Sequence, residues 1–327
     1  MLFRSRDSDR KAGRRSRANT TATTHAPRCL RLASVCLGLL RAASTPAQEM
    51  EPRAYSDVPI GTNFVVTNYA RSSGQVLLDP SLPVTDLQAK INAYSIGYSH
   101  SFGLAGHTAS IAALVPYANA NLTGNVEGAP GHAYRSGMGD VRFRFAMILL
   151  GSSALTPQQF AQHSPTATLG ASLSVVAPTG QYVPTRLINV GANRWSFKPE
   201  IGLSQPLGNW FIEGSAGVWL FTENNDFFGG RRRSQAPLPT LQLHGGYGWR
   251  PGLWVAADVT YYTGGRTSVN GVEGQDLQRT VRYGLTLSVP LAAQWSAKFG
   301  WSRGLTAIAG GNFQTFSVAL QYRWFNR

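Results

Sequence analysis

From about Ile60 to Phe325 the chain is a series of segments in which apolar and polar positions alternate. The last of them reads Gln314-Thr-Phe316-Ser-Val318-Ala-Leu320-Gln-Tyr322-Arg-Trp324. Neighbouring side chains of a strand point to opposite faces, so one face of this segment is wholly apolar and the other small or polar. The pattern predicts twelve strands, over 60–70, 87–102, 106–120, 138–150, 166–178, 194–206, 209–221, 237–250, 252–263, 278–290, 293–303 and 313–325. Most are about twice as long as the strands of soluble domains. At ~3.3 Å per residue and a tilt of roughly 40°, ten residues rise about 25 Å, the height of an outer-membrane apolar band. The expected fold is all-β, a transmembrane antiparallel up-and-down β-barrel of about twelve strands.

The facing is clearest in the second half. Expected outward sets include Trp195, Phe197, Ile201 and Leu203; Trp210, Ile212, Ala216, Val218 and Leu220; Leu241, Leu243, Tyr247 and Trp249; Val281, Tyr283, Leu285 and Leu287. Charges fall between them. A charge facing lipid near mid-membrane costs about 2–4 kcal/mol, which turns the charged set inward. Arg142, Arg144, Lys198, Glu200, Glu213, Asp258, Arg282, Lys298 and Arg323 are therefore the candidate lumen-lining residues. Two readings fit this modestly positive wall: anion selection, or a ladder of paired charges filling a narrow barrel. Strands 87–102 and 106–120 alternate too poorly to assign a face. Aromatics near strand ends (Trp210, Trp219, Phe221, Trp249, Trp254, Tyr261, Tyr262, Trp301, Trp324) predict two interfacial girdles.

Connections alternate between tight and long. The tight ones, 103–106, 206–209, 250–252 and 290–293, mostly carry Gly or Pro. The long ones are 71–86, 121–137, 179–193, 222–236, 264–277 and 304–312. Short periplasmic turns and long external loops are the habit of outer-membrane barrels. Connection 151–165 should be short and is not; a small helix or a misplaced strand boundary would account for it.

The ends change the meaning of the charge. Ten Lys/Arg in the first 48 residues, against Asp7 and Asp9, hold +8 of the chain's +14 and leave +6 for the rest. Residues 1–47 read as a signal peptide: a basic stretch, an apolar run from Leu32 to Leu40, and Ala47 before the cut. Residues 48–59 are then a short periplasmic segment and 60–327 the barrel. Nucleic-acid binding loses its support, because most of the excess charge is removed with the leader. Both cysteines, Cys29 and Cys36, fall in the leader as well, which leaves no disulfide, thiolate metal site or cysteine nucleophile.

Candidate chemistry is sparse. A serine hydrolase on a barrel wall needs nucleophile and base on one face; His100-Ser101 and His163-Ser164 are adjacent and would point apart. Cross-strand pairs stay open. Neither a His-Glu-x-x-His motif nor a calcium loop is present, so no cofactor or metal is expected. Loop 222–236 is the most unusual connection. Phe227 and Phe228 could fold inward as an apolar gate hinged on Gly229 and Gly230, while Arg231, Arg232 and Arg233 suit lipopolysaccharide phosphates.

Three stretches carry a family resemblance: Gly137-Met-Gly139-Asp140-Val-Arg-Phe143, Ala177-Pro178-Thr179-Gly180-Gln-Tyr182, and Asn189-Val-Gly191-Ala-Asn193-Arg194-Trp195-Ser-Phe197-Lys-Pro199-Glu-Ile-Gly202. Together they resemble the outer-membrane family of the meta-cleavage (MetA) pathway of phenol degradation, whose members are called transporters. The resemblance implies a channel in the cell outer membrane that passes small organic, aromatic or hydrophobic compounds. Implied partners are outer-membrane lipid, lipopolysaccharide, the solutes themselves and the barrel-assembly machinery. The alternatives are a structural or adhesive barrel without transport, or a barrel-borne lipid hydrolase. Within the motifs, Gly180 and Gly191 are expected to supply turn angles closed to other residues. Arg194 is expected to cap the lumen or pair with Asp140.

Overall fold

The computed structural model describes residues 51–77, 84–126, 128–186, 188–306 and 310–326. The expected signal peptide, 1–47, therefore lies outside the described residues. In chain order the elements are β1 (Thr62–Leu77), β2 (Val84–Leu104), β3 (His107–Val126), β4 (Ala129–Met138), β5 (Arg142–Leu150), a single helical turn α1 (Pro157–Phe160), β6 (Thr168–Val176), β7 (Ser196–Leu207), β8 (Trp210–Phe221), β9 (Asn224–Phe227), β10 (Arg231–Gln235), β11 (Leu238–Arg250), β12 (Leu253–Gly264), β13 (Thr267–Val269), β14 (Val272–Glu273), β15 (Gln278–Pro290), β16 (Trp295–Thr306) and β17 (Gly310–Phe325).

β9, β10, β13 and β14 form a small separate sheet, and the remaining strands make one antiparallel sheet that closes on itself. Closure runs through β1 and β17, from Thr62 opposite Phe325 to Leu77 opposite Gly310. The barrel has twelve staves, as the alternation predicts. β4 and β5 share one stave, since both pair with β3. The stave is interrupted at Gly139-Asp140-Val141, where the Gly139 N–H donates to the Pro116 carbonyl at 2.8 Å.

The two faces separate as the alternation demands. Ile201, Leu203, Trp210, Ile212, Leu241, Leu243, Leu285 and Phe299 are exposed on the outside, while Lys198, Glu213, His244, Asp258 and Arg282 are buried inside. An exterior of exposed aliphatic and aromatic side chains is stable against hydrocarbon and not against water. The first hairpins, whose facing the sequence left open, put Tyr94, Ile96, Tyr98, Ile111 and Tyr117 outward. At the short-turn end the girdle is dense: Trp210 meets Tyr247 at 4.9 Å, and Trp295 meets Tyr322 at 4.8 Å between ring centroids. The girdle expectation needs correction at four residues. Trp254 and Tyr262 are buried, and Trp219 and Phe221 share the inner parity of Glu213 and Ser215. Nearness to a strand end does not override the two-residue period.

Tight turns join the staves at one end; Ala105 (φ 50°) and Gly106 (φ 81°) form a two-residue hairpin link whose central residues are both left-handed. At the other end the expected loops 71–86 and 121–137 are largely strand: β1, β2, β3 and β4 run on past the wall. Loops 222–236 and 264–277 fold over their staves as the four-stranded sheet, joined where Arg233, Ser234 and Gln235 of β10 face Val269, Ser268 and Thr267 of β13.

Candidate functional site

The inner wall is built from cross-strand rows. Glu213 of β8 lies opposite His244 of β11, which lies opposite Asp258 of β12. His244 Nδ1 sits 2.7 Å from Asp258 Oδ1, and Thr286 donates to the other oxygen of that carboxylate at 2.8 Å. Lys198 and Glu200, two residues apart on β7, form an ion pair at 2.7 Å. Gln242 donates to the same Glu200 oxygen at 3.1 Å. Arg282 donates to Ser302 and Thr315, both at 2.9 Å. A buried charge is tolerated when paired and hydrogen-bonded, and these groups satisfy one another laterally round the wall.

The remaining candidate positions differ in depth. Arg144 reaches Ser172 at 3.3 Å, and Arg142 is half-buried on the same face. Lys298 lies over the Trp254 ring at 5.8 Å. Arg323 is exposed at the short-turn rim, 5.4 Å from the Phe325 ring, and stands outside the paired rows. The His244–Asp258 pair escaped the sequence reading because its members are 14 residues apart and meet only through strand register.

Residues 51–59, the described part of the 48–59 segment expected in the periplasm, turn into the bore at the short-turn end. Tyr55 is only 4% exposed. Its ring lies over Gly170 and Gly202, which face each other on β6 and β7. A Cβ on Gly202 would come 2.2 Å from the ring, and one on Gly170 2.6 Å, so only a glycine pair leaves this slot. The next pair on the same face, Ser172 and Glu200, grips the hydroxyl, each at 2.8 Å. Arg144 stands over the ring at 5.2 Å. Burial first, and the Glu200 charge second, push the Tyr55 hydroxyl up to about 12.

Other contacts fix the segment's path. Thr168 donates to the Tyr55 carbonyl at 2.6 Å, Ser56 donates to Glu213 at 2.9 Å, and the Arg53 N–H donates to the second Glu213 oxygen. The long connection 151–167 has its reason here. Leu155 accepts from the Ile60 N–H at 2.9 Å, Ser152 donates to Asp57, and His163 lies 3.9 Å from Asp57. Within it, α1 is stopped at one turn but carries a full capping box between Thr156 and Gln159.

Beside the segment the bore is partly aromatic. Phe211 and Trp254 meet edge to face at 6.1 Å, Arg53 lies over Phe211 at 5.4 Å, and Gly246 leaves room for the Phe211 ring. A cavity of about 100 Å³ lies between the segment and the wall, bordered by Tyr55, Arg144, Lys198, Glu200, Gln242 and His244. It joins cations, carboxylates and an aromatic ring in one small space, which suits a planar solute with a polar substituent.

The three motif stretches converge on one structural knot. Asp140 accepts from the Gly180 N–H and the Ala192 N–H, both at 2.8 Å, and Thr179 accepts from the Val141 N–H at 2.9 Å. One expectation is corrected. Gly180 and Gly191 are absent from the left-handed residues; they are needed for close approach, since a Cβ on Gly180 would meet Asp140 at 2.8 Å and one on Gly191 would meet Gly180 at 2.7 Å. Arg194 donates to Gln235, covers the Phe221 ring at 4.4 Å and lies near enough to Asp140 to act on its charge, while backbone donors hold the carboxylate.

Loop 222–236 is also corrected. Phe227 is buried in β9 with Arg233 over its ring at 5.4 Å, and Arg231 lies over Phe228 at 5.7 Å. Arg232 makes an exposed ion pair with Glu223. Backbone pairing to β13 and the Tyr182 hydroxyl bond to the Asp226 carbonyl (3.0 Å) hold this hairpin in the rim sheet, so the two phenylalanines do not form a hinged gate.

Comparison with known proteins adds the following. A family model described as "Putative MetA-pathway of phenol degradation" matches residues 61–324. No curated protein matches the chain. Among solved structures, an outer membrane channel from Pseudomonas putida F1 is similar at a TM-score of 0.73 and 21% identity, covering 84% of this chain and 99% of that one. The CymD monoaromatic hydrocarbon channel is more distant, with a TM-score of 0.44 and 6% identity over 82% of this chain and 90% of its own.

Proposed function

The chain belongs to the family described by the MetA pathway of phenol degradation, and from that premise we propose that it is a channel of the outer membrane for small aromatic solutes. The observation that carries the reading is a bore lined by paired charges and inward-facing aromatics, enclosed by an apolar exterior. The segment that partly fills its short-turn end selects for small size. The channel from Pseudomonas putida F1 supports the reading through its shared fold. The barrel works without catalysis: it replaces bulk water around a solute by fixed dipoles and rings along a path, as selective pores do.

The finer parts of the reading rest on the sequence and on charge. Residues 1–47 direct export and are removed. The barrel is inserted by the barrel-assembly machinery, with its short turns in the periplasm. Arg231 and Arg232 on the rim sheet meet lipopolysaccharide phosphates, and Arg142, Arg144 and Lys198 favour solutes that carry an anionic or hydroxyl substituent. Planar-bilayer conductance, with swelling of proteoliposomes in phenol or benzoate, tests the function. Faster swelling with these solutes than with a sugar of similar mass is expected; a folded barrel that neither conducts nor swells would overturn it. A barrel without transport is the second reading, and the segment filling the short-turn end is the observation in its favour.

A further inference from the structure

The side chain of Tyr55 is itself a phenol, and the wall treats it as a bound ligand. The opposed Gly170 and Gly202 provide a flat floor, Ser172 and Glu200 read the hydroxyl at 2.8 Å each, and Arg144 faces the ring. We propose that this slot is a phenol-binding site occupied in the resting protein by Tyr55, and that a free phenol entering the bore competes with Tyr55 and releases residues 51–59 from the wall.

Several observations set this apart from ordinary packing. The slot is built of cross-strand pairs in the wall, so it keeps its shape when the segment leaves. The ring accounts for the glycines: the three nearest atoms a Gly202 Cβ would meet are all Tyr55 ring atoms, and a Gly170 Cβ would meet the ring at 2.6 Å, closer than the Met147 carbonyl oxygen at 3.1 Å. Recognition is specific for a hydroxyl-bearing ring, because a bare ring would take the hydroxyl bond from Glu200 Oε1 and Ser172. The loss of a buried hydrogen bond to a charged group is costly even though the other Glu200 oxygen keeps Lys198 and Gln242. The segment is held by side chains and single backbone bonds rather than by a strand ladder, and the Tyr55 ring is the part of it seated in the wall. The cavity beside Tyr55 gives an incoming phenol a place to wait while the exchange occurs. No bond is made or broken; one neutral phenol replaces another. The proposal rests on the channel reading for its physiological sense, though not for its test.

The experiment uses the full mature chain in detergent, with p-cresol as probe because it reproduces the tyrosine side chain from its Cβ outward. Tyr55→Ala vacates the slot. Calorimetry should show saturable binding of p-cresol to Tyr55→Ala, weaker by about tenfold or more in the wild type, where a tethered competitor is present at roughly millimolar effective concentration. Toluene, of the same shape without the hydroxyl, should bind Tyr55→Ala about tenfold or more weakly than p-cresol. In the wild type, p-cresol and not toluene should speed tryptic cleavage after Arg53. Heat-modifiable migration on gels verifies that each barrel is folded. Should Tyr55→Ala misfold, the wild-type cleavage assay decides by itself.

Tyr55→Ala that is folded and binds p-cresol no better than toluene would overturn the site, as would cleavage indifferent to p-cresol. A Tyr55→Ala barrel that conducts ions yet ignores p-cresol removes the site and leaves the channel. Saturable p-cresol binding without conductance supports the site and removes the channel.

Discussion

At the short-turn end, residues 51–61 carry no strand of their own and are held by Tyr55, Ser56 and a few backbone donors against Ser172, Glu200 and Glu213. At the long-loop end, β9, β10, β13 and β14 hold one another through a backbone ladder, sealed by Asp276, which accepts from the Thr267 N–H at 2.9 Å and its hydroxyl at 2.7 Å. A ladder loses its bonds together and resists competition by a small molecule. A segment fixed by side chains can be displaced one contact at a time. The difference assigns rigidity to the rim sheet and exchange to the inserted segment.

The strongest way to break this contrast is Glu200→Ala. It removes the acceptor of Tyr55 and strips buried Lys198 of its partner, which costs about 3–5 kcal/mol. The expected result is a lower melting temperature of the whole barrel by heat-modifiability, together with faster cleavage at Arg53; unchanged values would mean that the wall and the segment are uncoupled. Asp276→Ala is next. Leaving the Thr267 donors unpaired costs about 2–3 kcal/mol within the rim sheet. Proteolysis of loop 264–277 should increase while cleavage at Arg53 stays the same, and a parallel rise in both would erase the distinction between the ends.

The third prediction concerns alkaline pH. Tyr55 is held near 12 in the folded chain against about 10 in an unfolded one. Its neutral form is the one that docks, so this contribution is fully present below about pH 10 and is lost as the pH rises through 12. Tyrosinate absorbance followed alongside cleavage at Arg53 should show a step in that window that Tyr55→Phe lacks; the same step in Tyr55→Phe would assign it to another group. The smallest effect is expected from Arg232→Ala. Its ion pair with Glu223 is exposed, and such pairs contribute about 0–1 kcal/mol, so melting should hardly change. A large loss would show that the rim sheet depends on surface charge rather than on its ladder.

Much of the wall was legible because one physical rule, a charge kept out of lipid, acts on every second residue. That rule placed Lys198, Glu213, Asp258 and Arg282 on the inner face without any three-dimensional information. Where two aromatics adjoin, as in Tyr261-Tyr262, parity still decides, and Tyr262 turns inward although both lie near the strand end. What alternation cannot carry is register. The Gly170–Gly202 slot and the His244–Asp258 pair exist only because strands meet at particular offsets, and each half looks ordinary alone. Glu51-Pro-Arg-Ala-Tyr-Ser-Asp57 has no periodicity, so nothing in it announces an insertion into the bore. The motif aspartate, Asp140, was visible as conspicuous, but its partners are backbone N–H groups, which no side-chain pattern can reveal.

Tyr55 finds its seat on β6 and β7, more than a hundred residues further along the chain. That seat comes into being only after two distant strands have zipped in register, and the entropy of so large a loop must be met beforehand. The opening residues of the described chain can therefore take their seat only once that part of the wall has formed.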